Sequence, residues 1–234
     1  MLSAVIIARD EADRIVDCVR SVAFCDEVLV LDGGSTDDTV ARARDEGARV
    51  LEVDWPGFVA QKNRGWSEAR GEWILSIDAD ERVTDALRAS VLDAIRSESE
   101  QGFRVRRRNV YLGRPLRGGR AWPDARVRLA RRDQSRWVGT DPHDRLEVDG
   151  RVGDLDGELL HLPYRSLAEH LLRIERYTAL DARDGSLLDL LARPSWHFFS
   201  AFFLRRGFVD GYRGALYAAL GALYVFLKWG RRRL

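Results

Sequence analysis

The sequence predicts an α/β fold, a parallel sheet covered by helices on both faces and followed by a helical C-terminal region. Three observations carry this. The first hundred residues alternate strand-length apolar runs with helix-period segments; acidic residues recur where those runs end; and from Ser166 onward the pattern is helical throughout.

The run "LSAVIIA" (2–8) has the length and composition of a buried strand, and "DEADRIVDCVRSVAF" (10–24) places Ile15, Val19 and Val22 at helical spacing. "EVLVL" (27–31) is a second strand, and "STDDTVARARDEG" (35–47) a helix with Ser35 or Thr36 as N-cap and Gly47 closing it. "ARVLEV" (48–53), "FVAQKNRGWSEARG" (58–71) and "EWILSI" (72–77) continue as strand, helix, strand, and "TDALRASVLDAIRSES" (84–99) as a helix capped by Thr84. Shorter β-like pieces follow in "FRVRRRNVYL" (103–112), "ARVRLARR" (125–132) and "RLEVDGRVGDLDGELLHL" (145–162), with glycine turns between them. "SLAEHLLRIERYTALDAR" (166–183) carries Leu167, Leu171, Ile174 and Tyr177 on one stripe, and His170 and His197 are assigned to a helix surface or a membrane contact. The expected division is a catalytic domain over 1–165 and a helical region over 166–234.

At 234 residues, with 45% apolar and 32% charged residues, the chain has the balance of a folded globular protein. The net charge of +1 hides an asymmetry: residues 1–100 carry 22 acids and 12 bases. The segment from Phe103 to Trp137 holds twelve arginines against two acids, a composition suited to phosphate. Cys18 and Cys25 fit no metal or redox motif and read as a reduced cytosolic chain, and the N-terminus lacks the basic start and cleavage site of a signal peptide.

In open parallel sheets, ligands bind beyond the carboxyl ends of the strands. Arg9, Asp10 and Glu11 follow the first strand, Asp32 the second, and Asp78 and Asp80 the fourth, so all are expected on one edge. Two carboxylates one residue apart at a strand tip repel each other unless a cation lies between them; a charged turn in water is the simpler alternative. Hard carboxylate oxygens combined with phosphate oxygens suit Mg²⁺ or Mn²⁺. In "VLDGGSTDDT" (30–39) an aspartate at a strand end precedes two glycines, an arrangement in which the carboxylate accepts from a ribose hydroxyl or a base N–H. The phosphate-loop Gly-Lys-Thr and the G-x-G-x-x-G fingerprint are absent, which disfavours ordinary kinases and dinucleotide dehydrogenases.

Taken in order, "VIIARDE" (5–11), "VLDGGSTDDT" (30–39), "GFVAQKNRG" (57–65), "LSIDADERV" (75–83), "WPDARVRLARR" (122–132), "PHDRLEVDGRVG" (142–153) and "LLHLPYRSLAEHL" (159–171) resemble the family-2 inverting glycosyltransferases, most of all the branch that adds glucose to the inner core of bacterial lipopolysaccharide. The resemblance implies a glycosyltransferase A-type, doubly wound nucleotide-binding fold and transfer of a sugar, glucose first, from a UDP-sugar to a lipopolysaccharide-core or other lipid-linked saccharide. It implies that Ala8, Arg9 and Glu11 with Asp32 hold the uridine, that Lys62 faces the base or diphosphate, that Asp78 binds the ribose, and that Asp80 binds Mg²⁺ or Mn²⁺. His161 would complete the metal shell, as a histidine does in some relatives. His143 and Asp144 stand where relatives carry a His–Glu pair; Asp144, one methylene shorter, is the implied catalytic base. The reaction needs one, because an acceptor hydroxyl is a weak nucleophile until its proton is taken.

Two other readings stand beside this one: a non-catalytic nucleotide-sugar-binding scaffold at a membrane, and an aspartate phosphohydrolase. The second expects Thr or Val two residues after the second Asp, where this chain has Arg82. Eleven of the 22 aromatic residues lie between Trp196 and Trp229, and the apolar run 214–227 has 14 residues, short of the roughly 20 that a spanning helix needs. With Phe198/Phe202 and Phe199/Phe203 at i, i+4 and arginines closing the chain, residues 195–234 are expected to lie on the cytoplasmic face of the inner membrane without crossing it, with no nucleic-acid partner.

Overall fold

The structure, a computed structural model, describes residues 1–141, 143–180 and 182–231, with Leu180 described by its backbone alone; Arg232 and Arg233, two of the arginines expected at the headgroup layer, lie outside the described residues. The chain forms two compact units, Met1–Arg107 with Ala125–His161, and Arg108–Asp124 with Leu162–Leu234.

The first unit opens with β1 (Leu2–Ala8), α1 (Ala12–Ser21), β2 (Glu27–Asp32), α2 (Thr39–Asp45), β3 (Arg49–Glu52), α3 (Phe58–Glu68) and β4 (Trp73–Asp78). All seven residues of β1 are buried, because the strand is central and both sheet faces are covered. Leu2, Ala4, Ile6 and Ala8 pack with Ile15, Val19, Ala43 and Leu87 on one face. Val5 and Ile7 pack with Leu29, Leu31 and Trp66 on the other. The parallel register sets Ala8 beside Asp32 and Ile7 beside Asp78, so the carboxyl ends of β1, β2 and β4 share one edge.

Beyond β4 come β5 (Glu81–Val83), α4 (Asp85–Ala94), β6 (Gly102–Tyr111), β7 (Arg114–Pro115), β8 (Asp124–Arg131), β9 (Ser135–Thr140), β10 (His143–Val148) and β11 (Val152–His161). The sheet order is β3-β2-β1-β4-β8-β6-β11-β5, with β7 paired to β6. It is mixed rather than wholly parallel: β8 runs antiparallel to β4 and β5 antiparallel to β11. A parallel neighbour needs a long crossover, usually a helix, and among the described residues no α-helix interrupts the chain between β6 and β11. The β9–β10 hairpin forms a separate two-stranded sheet, and its Trp137 and Leu146 join the core face of α3.

Thr84 caps α4 as expected, its hydroxyl accepting from the Leu87 N–H at 3.3 Å. The second helix begins later than expected, at Thr39, and neither Ser35 nor Thr36 caps it. Their hydroxyls lace the loops after β1 and β2 instead: Ser35 Oγ accepts from the Asp10 N–H at 2.9 Å, and the Thr36 N–H and hydroxyl donate to Asp10 Oδ1 at 2.8 and 3.1 Å.

The second unit contains α5 (Leu167–Leu180), α6 (Leu187–Phe199), a π-helical turn (Ser200–Leu204) and α7 (Gly211–Gly230), with residues 108–124. Ser186 and Asp189 close a reciprocal capping box at the start of α6. Tyr111, Leu116, Ala121, Ile174 and Leu220 form the unit's core. The buried stripe of α5 is His170, Ile174 and Thr178, rotated from the expected Leu167–Leu171 line. His170 is therefore internal: its Nδ1 lies 3.1 Å from the Tyr111 hydroxyl and its ring stacks on Tyr164. Burial, followed by the Arg173 charge, lowers its pKa to about 4. Among the described residues, no helix is long and apolar enough to cross a membrane.

Candidate active site

The Asp-Ala-Asp turn after β4 is held from behind by Arg82, whose guanidinium donates to the carbonyls of Ala79 (2.9 Å), Glu81 (2.7 Å) and Arg14 (2.6 Å). Arg82 thus ties the tip of β4 to α1. Glu81, fully buried, accepts from the Asp78 N–H at 2.9 Å and pairs with Arg128 at 2.9 Å and Arg107 at 3.4 Å. The same Nη2 of Arg128 reaches Asp78 Oδ2 at 2.7 Å. One guanidinium, itself buried, therefore offsets two neighbouring carboxylates, with Arg107 adding charge beside Glu81 and Lys62 beside Asp78.

On the other side of Asp78, Lys62 rises from α3 with Nζ 2.7 Å from Asp144 Oδ2 and 3.4 Å from Asp78 Oδ1. The ammonium also lies 4.3 Å from the Trp137 ring centroid, over a π face that favours a cation. Burial by itself would raise the Asp78 carboxyl, but the charges of Arg128 and Lys62 outweigh it and hold the group well below the usual carboxylate range. Asp80 points to His161, whose Nε2 is 3.4 Å from Oδ2. Here too burial raises the carboxyl, while the hydrogen bond and charge of His161 bring it below its ordinary value.

The candidate nucleotide residues line the same edge. The Asp32 carboxylate folds its own turn, accepting from the N–H groups of Gly34 (3.0 Å) and Ser35 (2.9 Å) and from the Ser35 hydroxyl. That uses three of roughly four acceptor sites on a carboxylate. A Cβ on Gly33 would stand 2.3 Å from the Trp55 ring, so glycine is required there by close approach. The Ala8 carbonyl accepts from the Gly33 N–H at 2.9 Å. Arg9 is exposed, and Glu11 pairs with Arg14 at 3.2 Å.

The structure thus brings Lys62, Asp78 and Asp144 into one cluster and Asp80 and His161 into another, and sets Ala8 and Asp32 at the ends of β1 and β2, with Arg9 and Glu11 in the segment that follows β1. Among the described residues, no group of three His, Cys, Asp or Glu side chains stands ready to hold a metal alone. A hard carboxylate oxygen and an imidazole nitrogen side by side nonetheless fit a Mg²⁺ or Mn²⁺ shell that substrate phosphate and water complete, the usual way these ions are bound.

Arg128 and Glu81 escaped sequence reasoning. Arg128 stands in a segment crowded with arginines, and Glu81 directly follows the Asp-Ala-Asp turn. Both are marked only by burial. The Nε and Nη1 of Arg128 and both amide ends of Gln61, next to Lys62, are buried without a hydrogen-bond partner, as befits a region whose polar groups are completed by water or ligand. A separate cavity of about 330 Å³ opens at the opposite edge of the sheet, lined by Met1, Glu27, Arg49 and Arg70, and holds none of these residues.

Residues 3–145 match the family described as "Glycosyl transferase family 2". The chain is 30% identical over 241 residues to the lipopolysaccharide core biosynthesis glycosyltransferase LpsC of Rhizobium meliloti, covering 97% of this chain and 89% of that protein. It is 31% identical over 252 residues to an uncharacterized glycosyltransferase of Rickettsia felis, covering 99% and 89%. The fold is shared with glucosyl-3-phosphoglycerate synthase from Mycobacterium tuberculosis, solved with Mn²⁺, uridine diphosphate and phosphoglyceric acid: TM-score 0.51 at 20% identity, over 77% of this chain and 76% of that one.

Proposed function

Because the chain belongs to glycosyl transferase family 2, and is therefore a glycosyltransferase, we propose that it is a metal-dependent inverting enzyme that moves a sugar, glucose first, from a UDP-sugar to a lipid-linked saccharide of the lipopolysaccharide-core type. The observation that carries this reading is the meeting of Lys62, Asp78 and Asp144 beside the Asp80–His161 pair at the carboxyl edge of the sheet. Ala8, Arg9, Glu11 and Asp32 receive the uridine, Asp78 the ribose, and Lys62 the diphosphate side. Asp80 and His161 hold Mg²⁺ or Mn²⁺, which when bound supplies positive charge to the leaving diphosphate. Asp144 takes the proton of the acceptor hydroxyl as it attacks the anomeric carbon, on the face opposite the leaving group. The LpsC relative supports a lipopolysaccharide acceptor, and the synthase with Mn²⁺ and UDP supports the donor and metal. The test is a donor screen read by product mass. UDP-glucose with Mn²⁺ is expected to give a hexosylated core acceptor, and to give none when the metal is chelated. Equal transfer under chelation overturns the metal, and transfer only from a non-uridine donor overturns the nucleotide.

The acceptor's lipid calls for a membrane surface, and the second unit offers one. Trp196, Phe199, Phe203, Leu204 and Phe208 are all exposed beside exposed Arg205 and Arg206. Aromatic rings flanked by guanidinium groups suit the headgroup layer of an anionic membrane, and each apolar side chain of this size contributes roughly 1.5–3 kcal/mol when withdrawn from water. We place the enzyme peripherally on the inner face of the cytoplasmic membrane. Truncating the tail would test this poorly, because Leu220 of α7 belongs to the unit's core. Substituting Phe199, Phe203 and Leu204 together by Ser leaves that core untouched. The wild type is expected to float with anionic liposomes at low salt, and the triple variant to stay behind. A wild type that remains in solution with every liposome at every salt concentration removes the membrane from the reading.

A further inference from the structure

We propose that Asp141 is a positioning residue, tying the chain at the end of β9, beside Asp144 on the paired strand β10, to the N-terminus of α3. The proposal rests on the reading of Asp144 as the base. The first turn of a helix leaves backbone N–H groups without intrahelical partners, usually met by a side chain just upstream. In α3 the N-cap is Gly57, which has no side chain to offer. The Asp141 carboxylate takes that place from 83 residues away, Oδ2 accepting from the Phe58 N–H at 3.0 Å and Oδ1 from the Val59 N–H at 3.1 Å. A carboxylate at a helix N-terminus is further favoured by the helix dipole. Gly57 is fitted to this contact: its φ is +114°, and a Cβ there would stand 2.0 Å from Asp141 Oδ2.

The contact matters because of what else joins the two elements. Asn63 exchanges two hydrogen bonds with the Trp137 backbone, at 2.8 and 2.9 Å, and Trp66 Nε1 donates to Ser135 Oγ at 3.0 Å. These fix the base of the β9–β10 hairpin. Toward its tip, where His143 pairs with Thr140 and Asp144 with Gly139, two side-chain links to α3 remain among the described residues: Asp141 on the first turn, and Lys62–Asp144 one turn later. Lys62 holds Asp144 through Oδ2 alone, and that ion pair weakens to a hydrogen bond between an ammonium and a neutral acid once the base has taken a proton. Asp141 is the link that persists when the Lys62–Asp144 pair weakens, and it keeps the carboxylate within reach of the acceptor hydroxyl.

The test compares D141A, D141N and G57A in the full chain by kcat, donor KM, UDP affinity and thermal midpoint. D141A is expected to lower kcat by ~10- to 100-fold, the scale of a misplaced catalytic group, while UDP affinity stays within about twofold. D141N, whose single amide oxygen can replace only one of the two acceptors, is expected to fall between D141A and the wild type. G57A, which displaces the carboxylate without removing it, is expected to follow D141A. Should D141A fail to fold, the same split between kcat and affinity is read on D141N. A lowered midpoint with full kcat would make Asp141 a plain helix cap and overturn the proposal, as would loss of UDP affinity in step with kcat. Failure of the underlying reading shows separately, as retained turnover in Asp144→Asn.

Discussion

Asp80→Asn is expected to abolish transfer and Mn²⁺-dependent UDP binding while leaving the fold intact. The side chain sits in the turn between β4 and β5, so shape and packing change little when oxygen becomes an amide nitrogen. What changes is charge. The aspartate carboxylate, with the His161 Nε2 3.4 Å away, is the anion that a hard divalent cation seeks. A neutral amide is a far poorer ligand, and His161 alone offers one imidazole nitrogen. Loss is expected to be near complete rather than graded, because among the described residues no third His, Cys, Asp or Glu completes a cluster that could take over. The measurement is a UDP titration with and without Mn²⁺ beside the transfer assay, with the thermal midpoint as a control for folding. Near wild-type turnover in either metal would remove the Asp-Ala-Asp turn from metal binding.

The features legible in the sequence were those encoded locally. β1 was legible because a central strand covered on both faces must be apolar at every position. The gathering of Asp32 and Asp78 on one edge followed from parallel topology alone, and the register places them there. In the antiparallel half the strands themselves were legible as β-like runs, but their direction and their buried arginines were not: β6 and β8 are rich in arginine, and nothing local separates a buried strand Arg from a solvated one. Arg128 is the case in point, buried only because Asp78 and Glu81 lie opposite. Ser35 and Thr36 carried the chemistry of helix caps and were drawn into loop-to-loop bonds by Asp10, a tertiary partner that overrode a local preference. His170 had a helix-surface setting by sequence and was buried by Tyr111, 59 residues away. Contacts such as Lys62–Asp144, 82 residues apart, have no signature until the chain is folded.

That last contact sharpens what replacing Asp144 should do. Asp144→Asn is expected to lower turnover by a factor of ~10² to 10⁴, the usual span for a lost general base. Donor affinity should hold or rise slightly, because Lys62 loses one partner and keeps the other: Asp78 Oδ1 is already 3.4 Å from Nζ. Lys62 can therefore turn from Asp144 without leaving a buried ammonium unpaired, which would be costly. Asp144→Glu is the more discriminating variant. It supplies the carboxylate that the family resemblance implies at this position and adds one methylene of reach. Glutamate can keep the Lys62 pair and still carry a basic carboxylate, so substantial turnover is expected. The measurements are kcat with saturating donor and UDP affinity for each variant. If Asp144→Asn loses UDP affinity in proportion to turnover, the carboxylate belongs to the donor site and the base lies elsewhere. If turnover falls alone and Asp144→Glu recovers it, a carboxylate at this position does the proton transfer, and Lys62 holds it in place until the acceptor arrives.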